Sequence, residues 1–347
     1  MKCNTPEQHL AEALGHQPGS TLWLADENAL GLKLPVPVAC TVTNRFDVHQ
    51  QINSPNNIFN DWDLTPAFAG ANFTQVVYRV SKERPVVHHL LNQLAEHHAQ
   101  WQQLILIGQK NEGLKSYADL AGKRFGNKQV KKHGNYYVAC IQSRAPDGAP
   151  LESQNYPELR VTQHWGEQPL YSKPGTFGWQ KIDDGSVFLI EQLQLLAEEL
   201  APRTHRVLDL GCGYGFITLA ARTLLNTPAT QWLGTDNCAA ALSAYARNCG
   251  DFAEGFTGDR GLDNQQHPLR PAVDLVLCNP PFHQGFSPEA NITQRFVAAM
   301  HQWLTPKGTA LVVVNQFVGL EKHAQGLFSK VAEVAKNGSF RVIRLTK

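Results

Sequence analysis

The chain has 347 residues, of which 42% are hydrophobic and 18% charged, and its net charge is +1. This composition excludes a disordered chain, and the length suits two domains of middling size better than one core. With so little net charge, any nucleic-acid surface must be a local patch rather than a field over the whole molecule.

No apolar run approaches the length of a membrane span, and the start, MKCNTPEQHLAEALG, lacks the apolar core and cleavage site of a secretion signal. The seven cysteines are scattered singly, without a CxxC pair or zinc-type spacing, which fits reduced thiols in a cytoplasm. A cytoplasmic monomer with no metal and no membrane attachment is expected.

In chain order, TLWLAD (21–26) reads as a strand ending in an acid and FTQVVYRV (73–80) as a second strand. RPVVHHLLNQLAEH (84–97) reads as a helix and QLILIGQ (103–109) as a strand. His88, His89, His97 and His98 fall on or beside that Gln-rich helix, where solvated surface is expected rather than a metal. RAPDGAPLESQNYPELR (144–160) reads as a joint, which puts the domains at 1–160 and 161–347.

The second half is more legible. The strand RVLDL (206–210) runs into GCGYG (211–215) and the helix FITLAARTLL (216–225), followed by the strand QWLGTD (231–236) and the helix CAAALSAYARNC (238–249). AVDLVLCN (272–279) is a further strand, bounded by NPPF, and Ile292, Phe296, Met300 and Trp303 then recur at helical spacing. TALVVVNQ (309–316) is a strand, a helix is expected over roughly 320–334, and FRVIRLT (340–346) returns antiparallel beside its predecessor strand. Alternating strands and helices imply a mostly parallel sheet covered on both faces. The first half has the same rhythm, but Asp26 is followed by Glu-Asn-Ala-Leu instead of a glycine triad. Two copies of one α/β plan are expected, the first having lost its nucleotide loop.

Gly211, Gly213 and Gly215 sit where a strand hands over to a helix, so the backbone can turn tightly and approach a ligand. A GxGxG alone is weak evidence. Here Asp209 precedes it by two residues, and Asp236 ends the next strand, where its carboxylate can accept both hydroxyls of a ribose. Asp259 follows the third expected strand and suits an adenine amino group, or is a solvated loop carboxylate. The dinucleotide pattern GxGxxG is absent because residue 216 is Phe, which makes NAD the weaker choice of nucleoside cofactor.

Asn279-Pro280-Pro281-Phe282 follows its strand directly, at the edge where open α/β sheets bind ligands. An exocyclic amine on a base is a poor nucleophile because its lone pair is delocalised. The Asn279 side-chain oxygen and the Pro280 carbonyl can each accept one N–H, which favours a pyramidal nitrogen with its lone pair aimed at an electrophile. The prolines stiffen the loop, and Phe282 offers a face on which a base can stack. On its own NPP would be only a rigid turn; its order after the glycine loop and Asp236 favours the chemical reading. His283 is a substrate contact or a residue that stabilises the loop.

These motifs resemble the class I methyltransferases, and within them the two-domain bacterial ribosomal RNA guanine-N2 methyltransferases. VLDLGCGYG is similar to the family's cofactor motif, and CNPPFHQG to its catalytic motif. PGTFGWQKIDDGSVFLIEQL (174–193) resembles the segment ahead of the cofactor loop, with Phe177, Asp183, Gly185 and Ser186 in register; Gly178 and Trp179 depart from the usual Ser-Arg. The likeness is strong over about 170–347 and looser before it, where YRVSKERP and IGQKNEG favour the small-subunit (16S rRNA) branch, the methyltransferase C type. The resemblance implies two tandem Rossmann-like methyltransferase domains, the second catalytic with a mostly parallel seven-stranded sheet, the first degenerate and concerned with RNA recognition. It implies S-adenosylmethionine as cofactor and transfer of its methyl group to a guanine N2 amine of ribosomal RNA, free or in the small subunit.

The NPP loop is shared with adenine-N6 and release-factor glutamine methyltransferases, and large-subunit rRNA is a further possible target. A non-catalytic RNA-binding assembly factor is the alternative of a different class, against which intact Asp209, Asp236 and Asn279 argue. For RNA, Phe177 and the basic segment from Lys110 to Lys132 are the candidate contacts. That segment carries Lys123, Arg124, Lys131 and Lys132, with Tyr117, Phe125, Tyr136 and Tyr137 in or beside it as candidate stacking groups; the alternative is a solvated loop.

Overall fold

The computed structural model describes residues 5–34, 36–225, 230–258, 273–281 and 289–347, without the side chains of 289–291. The chain divides into two compact units, Met1–Glu158 and Leu159–Lys347.

The first unit contains α1 (Pro6–His16), β1 (Thr21–Leu24), β2 (Cys40–Thr43), α2 (Phe46–Gln51), β3 (Asn56–Phe59), α3 (Thr65–Phe68) and β4 (Phe73–Arg79). It continues with α4 (Arg84–Glu96), β5 (Trp101–Gln109), α5 (Leu114–Phe125), β6 (Lys128–His133) and β7 (Tyr136–Gln142). Its seven strands run in the order β3-β2-β1-β4-β5-β7-β6, parallel except where β7 pairs with β5 and β6. The segment 144–158 belongs to this unit, with Tyr156 buried in its core and Leu151 packed against it.

The second unit opens with a hairpin, β8 (Arg160–Trp165) and β9 (Gln168–Ser172), then α6 (Asp184–Leu200), β10 (Arg206–Leu210), α7 (Phe216–Leu224), β11 (Gln231–Asp236) and α8 (Ala239–Cys249). After these come β12 (Ala253–Thr257), β13 (Val273–Cys278), α9 (Glu289–Trp303), β14 (Leu304–Asn315), α10 (Leu320–Ala324), β15 (Lys330–Lys336) and β16 (Phe340–Thr346). The sheet order, β12-β11-β10-β13-β14-β16-β15, follows the same path as in the first unit. The two halves are copies of one doubly wound plan. Apolar side chains from both sheet faces fill two cores, one around α9 and the other around α6 and α7.

Two expectations are corrected. The helix over 320–334 stops at Ala324, and residues 330–336 form the edge strand β15, antiparallel to β16. Gly326, at φ +80, takes the left-handed conformation that ends the helix, and pairing with β16 decides the rest. His88 and His89 are not solvated: they are buried, with His88 Nδ1 2.7 Å from Glu152 O and His89 Nε2 3.1 Å from Trp62 O. Burial holds the His88 ring below its ordinary pKa.

Candidate active site

The register of the second sheet sets the site. Leu210 pairs with Thr235 of β11 on one side and with Cys278 of β13 on the other. The next residue on each strand is therefore Gly211, Asp236 or Asn279, and these three emerge side by side at the carboxyl edge. This is the switch point of the sheet, where the strand order reverses and open α/β folds bind their ligands. In the first unit Leu24 pairs with Val42 and Tyr78, so the corresponding positions are Ala25, Thr43 and Arg79. No acid or amide emerges there, and the buried Arg79 guanidinium is clamped by both oxygens of Glu112.

Asp236 braces the glycine loop. Its Oδ2 accepts the Gly213 N–H and its Oδ1 the Cys238 N–H, both at 2.9 Å, so one carboxylate joins the loop to the start of α8. The glycines differ in purpose. At Gly213 (φ +54) a Cβ would meet nothing within 4 Å, leaving the backbone bare towards the cleft. At Gly215 (φ +89) it would strike Cys249 Sγ at 2.7 Å and the Tyr245 ring at 3.0 Å, so this glycine serves packing against α8.

Asp209 is fully buried in β10. Its Oδ2 accepts the Thr218 N–H at 3.1 Å and hydroxyl at 2.8 Å, whereas Oδ1 has no partner. Burial, assisted by the nearby Asp236 charge, pushes its carboxyl up to about 7, against the pull of the Thr218 bonds. A buried carboxylate oxygen without a donor is costly, and it fits a site completed by a bound group.

Asn279 is held from α6. Its Nδ2 donates to Asp183 Oδ2 at 2.7 Å and to Ser186 Oγ at 2.8 Å. Asp183 is also the N-cap of α6, accepting the Ser186 N–H at 2.9 Å. With both amide protons committed, Oδ1 is the atom left to face a substrate, and the network fixes which way the amide points. Pro280, the next residue, is buried. In sequence, Asp183 and Ser186 stand out only as part of a motif; their hold on Asn279 links segments that the sequence does not connect.

One cleft is lined by Phe177, Gly211, Gly213, Asp183, Ser186 and Asn279. Phe177 is 72% exposed at this cleft. Asp259, Phe282 and His283 lie outside the described residues. The hairpin is tied to the loop through Asn248, whose amide donates to the carbonyls of Tyr171 and Tyr214. Among the described residues no group of three or more His, Cys, Asp or Glu is placed to hold a metal, and no helix is long and apolar enough to cross a membrane.

The basic segment of the first unit is not one patch. Arg124 is 8% exposed, and its guanidinium donates to the carbonyls of Gly148 and Ala149 at 3.1 and 2.7 Å, so it is an internal brace. Tyr117, Phe125, Tyr136 and Tyr137 are buried and offer no face to a base. Lys128 is paired with Asp119. Lys123, Lys131 and Lys132 are exposed, the first near the end of α5 and the other two on the edge strand β6.

Residues 167–344 match the model of the methyltransferase small domain, and residues 16–146 that of the N-terminal region that accompanies it. The chain belongs to the methyltransferase small domain family. It is 26% identical over 325 residues to the ribosomal RNA small subunit methyltransferase C of Alcanivorax borkumensis, covering 92% of this chain and 94% of that one. The protein of the same name from Shewanella oneidensis is 28% identical over 78% of this chain and 76% of its own. The fold matches that of the T. thermophilus 16S rRNA N2 G1207 methyltransferase, solved with AdoMet and guanosine, at a TM-score of 0.76 and 22% identity, over 99% of this chain and 92% of that chain. The two-unit architecture is thus shared along the whole length of this methyltransferase small domain protein.

Proposed function

We propose that the chain transfers a methyl group from S-adenosylmethionine to the exocyclic N2 amine of a guanosine in 16S ribosomal RNA. The observation that carries this reading is the Asn279 amide, committed through Nδ2 to Asp183 and Ser186 so that Oδ1 is presented in the cleft of the glycine loop. The names of the relatives support RNA and guanine as the target.

The residues present fit the cofactor. Asp236 is positioned for the ribose hydroxyls, Gly211 and Gly213 for close approach of the backbone, and the unpartnered Asp209 Oδ1 for a donor at the floor of the loop. When bound, the cofactor supplies a sulfonium methyl that is already strongly electrophilic. The protein's task is then alignment: Asn279 Oδ1 and the Pro280 carbonyl each accept one amine N–H and turn the nitrogen lone pair towards the methyl. Neither acceptor is basic enough to take a proton, so both act by orientation and polarisation; the nitrogen, cationic and strongly acidic once methylated, releases its surplus proton to solvent. Phe177, and Phe282 beyond the described residues, are assigned to hold the base by stacking.

We assign residues 1–160 to RNA recognition and 161–347 to catalysis. The six described cysteines are all free thiols, which suits a reducing cytoplasm. The test is to incubate unmodified 16S rRNA with the protein and S-adenosylmethionine, then digest and identify the nucleoside by mass spectrometry. N2-methylguanosine is the expected product; N6-methyladenosine or none would overturn the assignment.

A further inference from the structure

Phe317 is 86% exposed, the most exposed large apolar side chain among the described residues. A single exposed apolar group is ordinary on a protein surface, as Leu195 at 79% on the outer side of α6 shows. Phe317 differs in place and in anchorage. It leaves the sheet just after β14, the parallel neighbour of β13, with Cys278 opposite Val312. Asn279 and Phe317 therefore leave adjacent strands at the same carboxyl edge, and β14 runs on three residues past the level of Cys278, about 10 Å at the usual rise.

The backbone that carries Phe317 is pinned. Its N–H donates to Asn315 Oδ1 at 3.3 Å and the next N–H, of Val318, to Asn315 O at 3.0 Å. Arg341 donates to Val318 O at 2.7 Å while its guanidinium grips both oxygens of Glu321. Val318 and Leu320, which follow it, pack against the core. The backbone that carries the ring is thus held in place, so only the two side-chain torsions of Phe317 remain to be ordered on binding.

We propose that Phe317 is a stacking platform for an unpaired nucleobase of the RNA substrate that flanks the reacting guanine. This rests on the RNA methyltransferase reading above and deepens it: the enzyme grips a single-stranded or splayed stretch by a base beside the target as well as by the target. An aromatic ring suits that task because every base has a face to stack on.

The experiment measures binding of a 16S rRNA transcript, with S-adenosylhomocysteine present, to the wild type and to Phe317→Ala, Phe317→Leu and Phe317→Trp. Affinity of the Ala variant should fall by roughly 5- to 150-fold, the span of one lost stacking contact. Leu should recover little of it, and Trp should match or exceed Phe. Calorimetric binding of S-adenosylhomocysteine, unchanged across the series, shows that the fold is retained. Equal RNA affinity for all four proteins, or full retention by Leu, overturns the inference even if N2-methylguanosine is formed. The aromatic order in binding with no N2-methylguanosine from the wild type would instead leave the platform standing and overturn the proposed reaction.

Discussion

The side-chain amide of Asn279 donates to Oδ2 of Asp183 at 2.7 Å across 96 positions of sequence, and the same oxygen caps α6 by accepting the Ser186 N–H. One carboxylate oxygen thus ties the catalytic loop to the first turn of a helix in the preceding segment. Replacing Asn279 with Ala should remove the preorganised acceptor and cost about 3 kcal/mol in the transition state, a loss of 100-fold or more in turnover. Cofactor affinity, measured by calorimetry, should stay close to wild type. A parallel fall in both would make Asn279 a structural residue.

Asp183→Ala should act twice. The lost helix cap lowers stability by about 1 kcal/mol, and the released Asn279 amide lowers turnover by roughly tenfold. Asp183→Asn offers an oxygen to both donors and is expected to recover most of each. Thermal unfolding and single-turnover rates separate the two effects, and an Asn variant as slow as Ala would show that charge matters more than the acceptor.

Asp236→Ala removes the acceptor for the Gly213 and Cys238 N–H groups as well as the proposed ribose contact. Cofactor affinity should fall by about 10- to 100-fold, the usual range for charge-assisted bonds that water replaces poorly. The melting temperature without cofactor should fall as well, because two amides lose their partner. Unchanged affinity would reduce Asp236 to the polar end of a strand.

Much of the site could be read from the sequence because its residues sit at the ends of short buried strands. RVLDL, QWLGTD and FRVIRLT are apolar runs with polar or glycine punctuation, and the strands occupy those residues. Residues 320–336 mislead because β15 is a half-exposed edge strand, whose Val331 and Val334 also fit helical spacing; its pairing with β16 comes from the tertiary fold. Leu114, Tyr117, Ala118, Ala121 and Phe125 recur at the spacing of one helix face, and that periodicity, rather than their mixture with lysines, decides that the aromatics face inward. The hold of Asp183 and Ser186 on Asn279 escapes a local reading, because it depends on a partner far along the chain.

Asp209 gives the fold a pH dependence of definite sign. Its carboxyl, at about 7 when folded, lies above the ordinary aspartate value of 3.8 because burial penalises the charge. Between those values the native state holds a proton that the unfolded state has released, so this group's contribution to stability is fully present below pH 4 and is lost as pH rises towards 7. At roughly 1.4 kcal/mol per unit the decline amounts to a few kcal/mol. Asp26, buried and likewise raised first by burial and then by Glu27, acts with the same sign. Denaturant titrations of the cofactor-free protein at pH 4.5 and 7.5 should show a smaller decline for Asp209→Asn than for wild type. Equal declines would mean that Asp209 is ionised throughout.

The RNA-binding role assigned to the first unit rests on only a few of its cations. Arg124 spends its guanidinium on the Gly148 and Ala149 carbonyls, so Arg124→Ala should destabilise that unit by about 1–3 kcal/mol and leave the salt dependence of RNA binding alone. Lys131 and Lys132 are successive residues of β6, so their side chains point to opposite faces of the sheet. RNA lying on one face can use only one of the two. Single Ala replacements should therefore differ, one flattening the dependence of log affinity on log salt by about one unit and the other doing nothing. Lysines on an exposed edge strand also have a purpose without RNA, since they discourage edge-to-edge pairing between copies. If that is their whole role, the double Lys131→Ala, Lys132→Ala variant will self-associate in sedimentation while its salt dependence stays that of the wild type. Such a result would remove the edge strand from the RNA interface and leave Lys123 as the remaining candidate among those lysines.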